Sequence, residues 1–151
     1  MLKTLAEQAE RFVGIKEVRG EVDNELIKAM LKLDFGWPES DEVPWCSAFV
    51  NFIAWLHRYP RSKSLRARSW LLVGEPIATT MAIKGFDVVV IKRGGDNQPG
   101  PEVIKAQGHV GFYMAHDLNN IWILGGNQGN EVSVREYPLR RLLGIRRLGR
   151  P

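Results

Sequence analysis

A single cysteine, Cys46, stands among the 151 residues. That scarcity excludes an intrachain disulfide and a multi-cysteine zinc site, and leaves the thiol as either a small buried hydrophobe or a reactive group. Histidine is nearly as rare, so imidazole chemistry has only His57, His109 and His116 to draw on. No apolar run approaches the ~18 residues of a membrane-spanning helix. The opening MLKTLAEQAE puts charges where a secretory signal needs its apolar segment, so the expectation is synthesis in the cytoplasm without a signal peptide. Internal repeats and low-complexity tracts are also missing. What is present is an ordinary globular balance, 44% hydrophobic and 25% charged, which excludes disorder as the main state. The length suits one domain over 1–151. A formal net charge of +4 favours an acidic partner such as nucleic acid, anionic lipid or a bacterial envelope polymer.

Helical spacing dominates the first half. Leu2, Leu5, Ala9, Phe12 and Val13 predict an amphipathic helix stopped by Gly14, and Asn24 is placed to cap a second helix carrying Leu26, Ile27, Met30 and Leu31. CSAFVNFIAWLH, from Cys46 to His57, is apolar around most of its circumference and reads as a buried helix. The basic stretch from Arg61 to Arg68 reads as a solvated connection, with SLRARSWLL able to form a short helix. Beyond Gly74 the texture changes to β-branched runs: FDVVVIK, HVGFYM, NIWILG, EVSVREY and LLGIRRL. A long Gly- and Pro-rich loop separates the first two. Helices first and strands afterwards predict an α+β fold, with the helices on one side of an antiparallel sheet.

Cys46 falls at the first turn of the buried helix, behind Pro44 and Trp45. Unpaired N–H groups and the helix dipole favour a thiolate there, and the same amides can receive an oxyanion, which turns the reading toward a nucleophile. Of the imidazoles, His57 lies eleven residues along the same helix, roughly 16 Å away, and reads as a partner of its C-terminal dipole. His116 adjoins the turn residues Asp117, Asn119 and Asn120 and reads as surface. His109 opens the GHVGFYM strand and is the candidate base. For the group that orients it, alternation along NIWILGGN puts Asn127 on one face with Ile121, Ile123 and Gly125; Asp87 is the rival. Trp45 and Trp70 are candidates to wall a substrate groove, or core. Asp41 and Glu42 are candidates to receive substrate ammonium groups, or merely solubilise a loop.

In order, PWCSAFVNF, DVVV, GHVGFYM and ILGGNQGNEV resemble the cysteine, histidine-dependent amidohydrolase/peptidase (CHAP) domain, within the wider NlpC-type papain-like superfamily. The resemblance implies a papain-like fold and a peptidoglycan hydrolase that cuts either the muramoyl–L-alanine amide or a peptide bond of the stem or cross-bridge. It implies Cys46 as nucleophile, His109 as base and acid, and Asn127 as the orienting amide. The sequence departs from the family pattern in its GFDVVV segment and its long 92–107 loop. No cofactor is expected: calcium-loop alternation is absent, and one cysteine with scattered histidines speaks against zinc. Expected partners are wall peptidoglycan and either an immunity protein or delivery machinery, for a monomer acting in the periplasm or wall after release or delivery. A non-catalytic wall-binding module on the same fold is the alternative. Nucleic-acid binding through RRLLGIRRLGRP is disfavoured, because its arginines alternate with apolar residues as a terminal strand requires.

Overall fold

The computed structural model describes residues 3–17, 24–35, 45–95 and 97–150. Asp41 and Glu42 lie outside them. Among the described residues three α-helices, α1 (Leu5–Glu10), α2 (Glu25–Phe35) and α3 (Cys46–Leu56), precede a six-stranded antiparallel sheet. The strands are β1 (Glu75–Ile77), β2 (Asp87–Lys92), β3 (Gly108–His116), β4 (Asn120–Gly125), β5 (Ser133–Pro138) and β6 (Leu142–Arg147), in the spatial order β1-β6-β2-β3-β4-β5. This is the α+β arrangement expected, and among the described residues no helix is long and apolar enough to cross a membrane.

The helix ends follow local chemistry. Thr4 caps α1 by accepting from the Glu7 N–H at 3.1 Å, which starts the helix three residues later than the apolar spacing suggests. Asn24 caps α2 as expected, its Oδ1 accepting from the N–H groups of Leu26 and Ile27. SLRARSWLL yields a 3-10 helix over Ala67–Leu72. The short β1 was not legible, since three residues that include Pro76 carry no alternation to read.

Both sheet faces are covered, which explains why five successive residues of β2, Asp87 to Ile91, are buried. Val88, Val90, Val110, Phe112 and Leu124 face the helices and pack with Leu5, Met30, Phe49 and Ile53. Val89, Ile91, Tyr113, Ile121 and Ile123 form a second cluster, closed by Tyr137, Leu139 and Leu142 from the far part of the sheet. At the β2–β6 pairing Asp87 receives a forked bond from Arg147, Nε to Oδ1 at 2.8 Å and Nη2 to Oδ2 at 2.9 Å, and also the Ile83 N–H. Arg146 donates to the carbonyls of Val73 and Gly74. The arginines of LLGIRR thus hold the terminal strand in place.

Candidate active site

Cys46 is the first residue of α3, behind an N-cap residue, Trp45, that supplies no side-chain hydrogen bond. Trp45 itself therefore gives the N–H groups of the first turn no side-chain cap. The thiol is buried, with the His109 side chain and the Val110 backbone placed beside it to stabilise its charged form. Burial pushes it up, but the hydrogen bond and charge of His109, the Val110 backbone and the charge of Arg93 together hold it below the ordinary thiol value. The contact joins the entrance of α3 to the start of β3.

His109 pairs across the sheet with Ile91, so it shares a side with Ile91 rather than with Val110 and Phe112, which pack on α3. Its ring lies against Tyr137, centroids 5.5 Å apart and planes tilted by 38°. Burial pushes the Tyr137 phenol up to about 12, a rise that the Cys46 charge adds to and the charges of Arg135 and Arg93 oppose.

Gln128, not Asn127, meets the imidazole: His109 Nε2 and Gln128 Oε1 are 2.8 Å apart. The Gln128 amide nitrogen donates to the carbonyls of Ser133 at 2.7 Å and Ile123 at 3.2 Å. Those carbonyls only accept, so the amide oxygen must face the ring and Nε2 must carry a proton. Nδ1 is then the nitrogen left to exchange a proton with the thiol. The expectation for Asn127 fails because alternation holds only while the strand lasts. β4 ends at Gly125, and Asn127, Gly129 and Asn130 all have positive φ, so the chain turns back and delivers residue 128 to the site. Asp87, the rival, is consumed by Arg147 at the far end of β2.

The proposed groove walls are also corrected. Trp45 and Trp70 are 0% exposed and present no surface to a substrate. Trp45 Nε1 donates to Glu17 at 2.7 Å, and its ring packs so closely on Gly126 that a Cβ there would stand 2.6 Å from it. Trp70 Nε1 donates to Ser47 Oγ at 3.0 Å, tying the Ala67–Leu72 turn to the residue after Cys46. Both tryptophans fix the helix entrance from inside the core. His57 ends α3 as its C-cap residue, and His116 bonds Tyr113 OH through Nδ1 at 2.7 Å; neither joins the site.

A groove of about 450 Å³ opens beside Cys46, walled by the Leu65–Ala67 segment, Arg93 and Lys105–Gly108. The loop that forms one wall is tethered by the wholly buried Arg68, which donates to the carbonyls of Gln107 (2.9 Å), Gly100 (2.6 Å) and Val103 (3.1 Å). A larger hollow of about 760 Å³ surrounds Trp55, Tyr59 and Arg61 at the other end of α3, without a nucleophile. Among the described residues no three His, Cys, Asp or Glu side chains are grouped to hold a metal ion.

This arrangement can perform acyl transfer: an activated thiol, an imidazole in a defined tautomer, and helix N–H groups beside the sulfur. No family model and no curated protein matches the chain. Among solved structures it is similar to NlpC1 from Trichomonas vaginalis, with a TM-score of 0.56 and 17% identity over 95% of this chain. The chain spans 42% of that protein's length. At this identity the likeness concerns the fold, and the fold it bears out is the papain-like α+β arrangement of N-terminal helices on a C-terminal antiparallel sheet.

Proposed function

We propose that the chain is a cysteine hydrolase of amide bonds in bacterial peptidoglycan. The observation that carries this reading is the Cys46–His109 pair: the chain's single thiol, buried at a helix entrance beside an imidazole that helps hold it below its ordinary value. The thiolate attacks the carbonyl carbon, and the first-turn N–H groups of α3 receive the developing oxyanion. The proton held on Nδ1 of His109 passes to the leaving amine as the C–N bond breaks. Water then gives a proton back to Nδ1 and attacks the thioester, releasing a carboxylate and restoring the thiol. Gln128 holds the ring throughout. Peptidoglycan as substrate is supported by the likeness to the NlpC1 fold and by the motif order of the CHAP domain. A wall-binding module without catalysis would have no use for a lowered thiol.

On this reading the enzyme works in the periplasm or wall, as a phage lysin or a bacterial effector, and an immunity protein or export machinery is its companion. Mass spectrometry of purified peptidoglycan after digestion tests the proposal. Newly exposed N-terminal alanine marks a muramoyl–alanine amidase, and new amino groups elsewhere in the stem or bridge mark an endopeptidase. A digest identical to that of Cys46→Ala overturns it.

A further inference from the structure

Among the described residues the groove beside Cys46 is lined by charges of one sign. Arg66, Arg93 and Lys105 line it, and no acidic side chain does so among the described residues. Arg66 and Lys105 are exposed, yet their positions are set: Arg66 Nη1 donates to the Lys105 carbonyl at 3.1 Å, spanning from the edge of the 3-10 helix to the tethered loop. A guanidinium has five N–H donors, so that bond orients Arg66 while leaving a fork for an oxyanion. Arg93 lies close enough to the sulfur to help lower the thiol, so the positive field extends to the reacting atoms. Among the described residues no ion pair engages these three side chains. Three like charges converging on one hollow repel each other and raise the free energy of the empty groove, a cost that an anionic ligand removes.

Resting on the thiol-hydrolase reading above, we infer that this groove receives a carboxylate of the substrate, and that Arg66, Arg93 and Lys105 select peptides bearing a free carboxylate close to the scissile amide. A neutral or aminated segment there meets three cations with nothing to offer them. The selection is electrostatic and therefore sensitive to salt.

The test needs no knowledge of the substrate. Iodoacetate and iodoacetamide alkylate the same thiolate and differ in charge, so the ratio of their rates cancels any change in thiolate fraction. At low ionic strength the iodoacetate-to-iodoacetamide ratio for Cys46 is expected to exceed that of 2-mercaptoethanol by roughly 5- to 20-fold, and to fall toward it in 0.5 M salt. The double variant Arg66→Gln, Lys105→Gln should lose at least about threefold of the excess. A ratio equal to that of 2-mercaptoethanol, or unaltered in the double variant, overturns the inference. Failure of the parent reading appears separately, as iodoacetamide reacting with Cys46 no faster than with 2-mercaptoethanol at neutral pH. A second arm uses soluble peptidoglycan fragments whose carboxylates are blocked as methylamides. Their kcat/KM should drop on the wild type and drop much less on the double variant; equal cleavage of blocked and free fragments counts against the inference.

Discussion

Gln128 sets the tautomer of His109. Its amide nitrogen is held by two backbone carbonyls, so its oxygen faces Nε2 and keeps the proton there, which leaves Nδ1 as the nitrogen able to exchange a proton with the thiol. An amide that acts as a positioning group leaves nucleophile and base in place when it is removed. Gln128→Ala should therefore lower kcat about 10- to 1,000-fold, short of the loss in Cys46→Ala or His109→Ala. Asn127→Gly is the control, because glycine tolerates the left-handed conformation (φ 58°) found there. It should stay within about threefold of wild type. Loss of activity in the Asn127 variant with retention in the Gln128 variant would reverse the assignment.

The contrast between these neighbours shows how far the sequence could be read. That Cys46 and His109 come together is legible because each sits at the start of a regular element, where helical or alternating periodicity holds. Alternation misplaces Asn127 because it ends at Gly125, and the chain then enters a turn with three positive φ values within four residues. The signal that favours 128 is its chemistry. Glutamine has an acceptor and two donors on a longer arm, which can bridge an imidazole and two carbonyls from a turn. The tryptophans failed for another reason: apolar rings next to a nucleophile read equally as groove or core, and only the partners Glu17 and Ser47, distant in sequence, show that they are core.

The lowered Cys46 thiol gives a pH prediction. A thiol whose folded value is depressed keeps its thiolate to a lower pH than a free thiol, so the alkylation rate of Cys46 by iodoacetamide should have its midpoint below the free-thiol value of ~8.5. The associated contribution to stability is present above the unfolded thiol's value and lost as pH falls through the folded one. In His109→Gln the largest opposing influences vanish while burial remains, so the midpoint should move up, to the free-thiol value or beyond. An unshifted profile in that variant would mean that His109 does not sustain the thiolate.

Arg68 shapes the groove without touching the chemistry. Replacing it with Met keeps much of its volume but removes the donors to Gly100, Val103 and Gln107, at a cost of about 2–4 kcal/mol. The 93–107 loop should then be cut by proteases at temperatures where the rest of the chain resists. Because this loop walls the groove, KM should rise by more than kcat falls. Proteolysis that tracks global unfolding would show the tether to be unimportant.

Gly125 and Gly126 separate catalytic positioning from packing within one dipeptide. Neither has a positive φ, so alanine is acceptable to the backbone at both and only the added Cβ matters. At 125 it would stand 2.8 Å from Gln128 Oε1 and 3.3 Å from His109 Nε2, forcing the amide off the imidazole by a few tenths of an ångström. At 126 it would meet the Trp45 ring at 2.6 Å and Phe49 Cβ at 2.9 Å, rigid groups wholly inside the core. Gly126→Ala should thus lower stability by about 1–3 kcal/mol, read as a fall in Tm. Gly125→Ala should leave Tm closer to wild type and lower kcat, because the flexible Gln128 side chain yields while its bond to His109 lengthens. Purified proteins compared by thermal melting and by peptidoglycan digestion decide the matter. A Gly125→Ala enzyme with full kcat would mean that the Gln128–His109 bond tolerates displacement, and that the ring is held mainly by its tilted contact with Tyr137.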